Sequence, residues 1–216
     1  MSIIIERFKK IQSNVEEQKP KKKINIVAVS KTFSLDHIMP LINFGHTHFG
    51  ENKVQEAIEK WTEVKKKNSQ IKLHMVGKLQ TNKAKNAIDI FEYIHSLDNQ
   101  KLADILSKTQ VEKNKFLKYF IQVNIGDESQ KSGIPISELD SFFDYCKKEI
   151  NLEIIGLMII PPVNDDPKKY FKLASELNSS LAFGELSMGM SADFIEAIRF
   201  NSTFIRIGSL IFGNRF

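Results

Sequence analysis

The sequence predicts an α/β fold in which eight parallel strands close into a single (β/α)8 barrel, with an extra N-terminal helix. Three observations carry that prediction. Short runs rich in Ile, Val and Leu alternate with longer stretches of helical period, the alternation occurs eight times, and the polar, glycine-bearing segments follow the strands instead of preceding them. Strands covered on both faces read as continuous apolar runs, and parallel neighbours need helical crossovers. Eight such units suggest closure, with chemistry gathered at the carboxyl ends of the strands. The length of 216 residues is short for a barrel, which keeps an open doubly wound sheet as the alternative.

The opening MSIIIERFKKIQSNVEEQ sets Ile4, Phe8, Ile11 and Val15 on one stripe with charges opposite, the pattern of an amphipathic helix. After the KPKKK linker, strands are predicted over Ile24–Val29, His46–Gly50, Lys72–Val76, Tyr93–Ser96, Phe116–Val123, Leu152–Met158, Leu186–Met188 and Phe204–Ile207. Helical patterns lie between them at Asp36–Ile42, Lys53–Lys66, Lys83–Ile88, Asn99–Glu112, Ile136–Lys148, Asp166–Ser180 and Ser191–Phe200, and a short segment, Leu210–Phe212, follows the last strand. No low-complexity stretch or break in composition divides residues 1–216, which read as one domain.

Composition narrows the function classes. Hydrophobic residues make up 42% and charged residues 26%, ordinary for a globular protein. The formal charge of +5 comes almost wholly from dispersed lysines, with arginine only at Arg7, Arg199, Arg206 and Arg215. Nucleic-acid readers favour clustered arginine forks, so nucleic acid is not an expected partner. The sole cysteine, Cys146, permits no intrachain disulfide, and a cytoplasmic protein is expected. The N-terminal apolar stretch is too short for a secretory core, and LEIIGLMIIPPV falls short of a membrane span. A monomer is expected.

On the barrel frame the polar signals share one rim. Lys31 stands two residues past the first strand and Asn52 follows the second. In SMGMSADF, Gly189 permits an unusual turn and Ser191 is a natural N-cap for a helix starting at Ala192; in RIGSLIFG, Gly208 and Ser209 open a second short helical turn. Either alone reads as an ordinary cap. In adjacent seventh and eighth loops they predict a phosphate site, where barrels often bind one. A strand-end lysine is usually just solvated, but at a barrel mouth it can form a Schiff base with an aldehyde. With phosphate across the same rim, pyridoxal phosphate fits.

Other polar residues read more blandly. His46 and His48 alternate along a strand without a third ligand, so no metal is assigned. His74 reads as a hydrogen-bonded barrel histidine and Trp61 as core, while Glu51 reads as an acid–base group or a residue holding its loop.

The motifs VAVSKTF, FGENKVQEA, HMVGKLQTNK, NIGDESQKSGI, GLMIIPP, LSMGMSADFIEAI and RIGSLIFG, in order over nearly the whole chain, resemble those of the pyridoxal phosphate homeostasis protein family. That family's barrel is similar to the N-terminal domain of alanine racemase. The resemblance implies that Lys31 holds pyridoxal 5'-phosphate as an internal aldimine, that Ser191, Gly208 and Ser209 bind its phosphate, that Arg206 faces the pyridine nitrogen, and that Asn52 lies near the ring. It further implies a role in vitamin B6 homeostasis without dedicated catalytic residues, with pyridoxal phosphate and related vitamers as ligands and apo enzymes that use it as recipients.

Two departures stand out. Many members carry a second lysine where this chain has Phe33, and several have a lysine-bearing tail where it stops at Arg215-Phe216. Lys131 matches a family lysine. The alternatives are an amino-acid racemase or decarboxylase, whose second base would need a further domain for which 216 residues leave no room, and a cofactor-free aldolase.

Overall fold

The structure is a computed structural model that describes residues 2–128 and 130–213. Arg215 and Phe216, at the end where the resemblance implies a lysine-bearing tail in several members, lie outside the described residues. Eight parallel strands close into a barrel in sequence order: β1 (Asn25–Val29), β2 (His48–Glu51), β3 (Lys72–Met75), β4 (Tyr93–Leu97), β5 (Lys118–Gln122), β6 (Ile154–Met158), β7 (Glu185–Ser187) and β8 (Phe204–Ile207). The seam is a parallel β1–β8 ladder running from Asn25↔Phe204 to Ala28↔Ile207. The open-sheet alternative is therefore set aside.

The α-helices are α1 (Ile3–Glu17), α2 (Leu35–Asn43), α3 (Val54–Lys67), α4 (Ala84–Ile90), α5 (Gln100–Glu112), α6 (Leu139–Asp144), α7 (Pro167–Ser180), α8 (Phe194–Arg199) and α9 (Ser209–Phe212), with 3-10 turns at Thr81–Lys83 and Ile136–Glu138 and a π turn after α6. Alternating side chains divide the core in two. The outward set, including Phe49, Leu73, Ile94 and Ile205, packs beneath the helices with Trp61, Ile88 and Phe171. The inward apolar set is small: Val27, Phe120, Met158 and Phe204. At roughly 1.5–3 kcal/mol for each fully buried large side chain, the outer layer dominates stability, which leaves the inner layer able to hold polar groups.

The N-terminal helix forms as its stripe requires. Ser2 caps it by accepting from the Ile4 N–H, and Ile4, Phe8, Ile11 and Val15 bury against α2 and the short α9. It thus braces from outside the segment that carries Ser209.

Most boundaries shift by one or two residues from the sequence prediction, and three of the differences have a clear local reason. The second strand begins at His48, not His46. Gly45, with φ of +92°, ends α2 in a Schellman turn in which the His46 N–H donates to the Leu41 carbonyl and the Gly45 N–H to that of Ile42. His46 belongs to that helix end and packs at a tilt on Phe8 and edge-on against Phe49, whereas His48 turns into the barrel, so the two rings do not share a face. The predicted Ile136–Lys148 helix is split into a 3-10 turn, α6, and a π turn over Tyr145–Glu149 whose wider spacing is closed by the Ile150 N–H bonding to the Tyr145 carbonyl.

The third concerns the seventh loop. The helix after β7 starts at Phe194, and Ser191 lies in the preceding turn instead of at its N-cap. The Asp193 carboxylate captures the Met190 N–H at 2.6 Å, and the Met190 carbonyl accepts from both Asp193 and Phe194. That closed turn delays the helix by two residues.

Candidate functional site

A cavity of about 840 Å³ opens at the carboxyl ends of the strands, and all six residues singled out from the sequence line it: Lys31, Asn52, Ser191, Arg206, Gly208 and Ser209. Lys78, Lys131 and Phe33 line it too.

Lys31 sits half-buried in a turn in which the Phe33 N–H reaches the Ser30 carbonyl and Thr32 adopts a left-handed φ of 69°. Such a conformation is uncommon for a β-branched residue and persists only when its surroundings impose it. Here the Glu56 carboxylate accepts from the Thr32 N–H at 2.6 Å. Lys60 ties the same turn from below, its Nζ donating to the Ser30 carbonyl at 3.0 Å, to Glu56 at 2.9 Å and to the buried Glu51 at 3.0 Å. Glu51 Oε1 also accepts from the Ser30 hydroxyl and the Trp61 indole N–H. Burial pushes the Glu51 carboxyl up, against the opposing pull of Lys60. Glu51 thus lies outside the barrel as a support of the Lys31 turn, and it does not line the cavity.

Phe33 stacks on His37 and packs on Phe212 of α9, and His37 Nε2 pairs with the Phe212 carbonyl at 2.9 Å. Phe33 thus gives the cavity an apolar wall there. Lys131 pairs with Glu128 and donates to the Pro161 carbonyl at 3.2 Å.

Across the cavity, Gly189 has φ of +90°, and a Cβ there would stand 2.6 Å from that of Ala197. Only glycine lets the seventh loop fold so closely on α8. It presents Ser191 beside Gly208 and Ser209, where the Ser209 and Leu210 N–H groups precede the first internal bonds of α9, which run from Ile211 and Phe212 to the Gly208 carbonyl. Hydroxyls and free amides suit a phosphate.

The inner wall holds Arg206, 5% exposed, donating to the Ser187 hydroxyl at 2.7 Å and to the Ile159 carbonyl at 2.9 Å. Burial lowers its pKa to about 10, still far above neutrality, so it stays cationic. Behind it runs a series the sequence reading missed beyond His74: His95 Nδ1 meets Ser187 Oγ, His74 Nδ1 meets His95 Nε2, and His48 Nδ1 meets His74 Nε2, each at 2.9 Å. The available signal was parity, since each histidine occupies an inward position of its strand.

Burial is the first cause that keeps these rings neutral. It holds His46 and His48 near pKa 4, the latter with help from His46, Lys72 and Lys23, and it drives His74 and His95 well below the usual value. Between pH 6.5 and 4 the unfolded chain therefore binds protons that the fold refuses. Stability is full above about pH 6.5 and falls as pH drops toward 4, by up to about 1.4 kcal/mol per pH unit for each such histidine. Urea unfolding should show a clearly lower midpoint at pH 5 than at pH 7.5; equal midpoints would contradict these buried neutral rings.

A parallel eight-stranded barrel with a rim lysine, an anion cradle on its last two loops and a buried arginine at its eighth strand defines a cofactor-type barrel of the alanine racemase class, and the family model for "Alanine racemase, N-terminal domain" matches residues 6–215. Proteins called "Pyridoxal phosphate homeostasis protein" from Aquifex aeolicus and Pasteurella multocida are 37% and 35% identical, over 88% and 98% of this chain and 86% and 97% of theirs. The chain belongs to the pyridoxal phosphate homeostasis protein family. PipY of Synechococcus elongatus, solved with PLP bound, superposes with a TM-score of 0.87 at 31% identity, covering 97% of this chain and all of that one. An alanine racemase from Clostridium difficile shares the fold alone, at 11% identity and a TM-score of 0.72, with 94% of this chain covering 55% of that one.

Proposed function

We propose that this protein binds pyridoxal 5'-phosphate covalently on Lys31 and serves vitamin B6 homeostasis without turning over a dedicated substrate. The observation that carries it is the convergence of Lys31, the Ser191 and Gly208–Ser209 cradle, and Arg206 on one cavity. The residues fit the group: an amine for the aldehyde, amides and hydroxyls for the phosphate, and a donor-only cation for the ring nitrogen. The PLP-bound PipY structure and the names of the relatives support the same ligand.

When bound, pyridoxal phosphate supplies an electron-withdrawing ring that is most effective with its nitrogen protonated. Arg206 stays charged and can only donate, so it gives that nitrogen a hydrogen bond and disfavours a second positive charge. The described residues lining the cavity include no carboxylate to favour the protonated ring. Asn52 borders the ring's place, and Ser191 and Ser209 hold the phosphate. This chemistry suits storage and handover to apo enzymes by a cytoplasmic monomer, and residues 1–216 act as one binding unit. Among the described residues no helix is long and apolar enough to cross a membrane.

Loading the protein with pyridoxal phosphate or with pyridoxal, then dialysing while following visible absorbance, tests the ligand. Charge-assisted hydrogen bonds are worth roughly 1.5–3 kcal/mol each, so the phosphorylated aldehyde should be retained at least tenfold longer. Equal retention would count against the cradle. Amino acids incubated with the loaded protein in deuterated water should exchange their α-protons no faster than with free cofactor; robust Lys31-dependent exchange would establish a racemase or related enzyme instead.

A further inference from the structure

The barrel interior carries a feature that cofactor binding by itself does not use: three histidines on β2, β3 and β4, joined through Ser187 to Arg206 by four contacts of 2.7–2.9 Å. Aromatic rings shield His74 and His95 from water. His74 stacks on Tyr93 at 4.3 Å and His95 on Phe120 at 4.4 Å, while Phe204 packs against all three rings. His74 and His95 are fully buried, and His48 is half-buried at the floor of the barrel.

The order of donors along this chain is set at one end. A guanidinium has no acceptor, so Arg206 must donate to Ser187 Oγ. The serine proton then has one place to go, His95 Nδ1. That makes His95 Nε2 the protonated nitrogen, which donates to His74 Nδ1; His74 Nε2–H in turn donates to His48 Nδ1. The opposite order would have His95 donating to Ser187, leaving the buried serine proton with no acceptor among the described residues. One polarity satisfies every buried group of the chain, and the other does not.

We propose that His95, His74 and His48 are positioning residues for Arg206: a one-way hydrogen-bond chain fixes all three rings in the Nε2–H tautomer and holds Ser187 as the acceptor that aims the guanidinium at the cavity. A serine alone can rotate its hydroxyl. Anchored on a row of stacked rings, its lone pair stays directed at Arg206. The link to the cofactor rests on the proposed placement of the ring nitrogen against Arg206; the polarity of the chain does not.

Two measurements separate these parts. In cofactor-free protein labelled with 15N-histidine, with the five histidine signals assigned by substitution, His48, His74 and His95 should each show a protonated Nε2 and an unprotonated Nδ1. A protonated Nδ1 on any of the three overturns the chain. In loaded protein, Ser187→Ala should shift the absorption maximum of the bound cofactor and speed its release about tenfold, with Ser187→Thr restoring both. Unchanged spectrum and release in Ser187→Ala overturn the positioning role. Should the alanine variant fail to fold, His95→Phe, which keeps the stack on Phe120, must give the same spectral shift or the proposal falls. Failure of the wild type to take up pyridoxal phosphate would overturn the cofactor reading alone, with the tautomers still deciding the chain.

Discussion

Lys31→Ala protein, loaded with pyridoxal phosphate and reduced with borohydride, is expected to carry no fixed pyridoxyl group, whereas the wild type carries one on the peptide containing Lys31. Three lysines line the cavity, so the expectation has to discriminate among them. Lys131 is held by Glu128 and the Pro161 carbonyl, and Lys78 is exposed to solvent. Lys31 alone is seated on a turn that the Glu56–Lys60 pair fixes in an uncommon conformation. A fixed position shortens the search between amine and aldehyde. The substitution removes no buried apolar contact, so unfolding should change by less than about 1 kcal/mol, which makes loss of the adduct a local effect. An adduct surviving in the variant on Lys78 or Lys131 would move the site.

Much of this arrangement was legible because it is local. The strand and helix periods gave the element order, and Lys31, Asn52, Ser191, Gly208 and Ser209 follow from their places just after strands, where a barrel concentrates its loops. Local rules failed where one local signal outcompeted another. Ser191 is a good N-cap residue, yet Asp193 two residues on closes the Met190 turn first. His46 has strand-like neighbours, yet Gly45 commits it to the end of α2. Parity could place each histidine inward, but the contacts of the series were hidden for a different reason. Its three histidines and Ser187 come from four strands, and His95 and Ser187 are 92 residues apart, so no period within one segment reports their contact. Only closure of the barrel brings inward positions of β4 and β7 together.

Lys60→Met is expected to be the most destabilising single change near the site, by about 3–5 kcal/mol. Sequence gives no hint of this, because a lysine in the middle of α3 reads as part of a solvated face. In the structure its side chain is only 9% exposed and meets a fully buried Glu51. An exposed ion pair is worth at most about 1 kcal/mol, but removing the cation here strands a carboxylate whose remaining donors are Ser30 and Trp61. Burial already disfavours the ionised form of Glu51, so the lost lysine should push that carboxyl further up. Glu51→Gln in the Lys60→Met background removes the stranded charge and should recover a substantial part of the loss. The consequence reaches the cavity, because Lys60 also bonds the Ser30 carbonyl and the Glu56 oxygen that accepts from Thr32. The double variant should therefore fold yet take up pyridoxal phosphate more slowly than the wild type, with Lys31 on a loosened turn. Urea unfolding measures the first effect and stopped-flow absorbance the second. A Lys60→Met loss below 1 kcal/mol would show that the pair behaves as a surface salt bridge, and a double variant that loads at the wild-type rate would show that the Lys31 turn holds its shape without it.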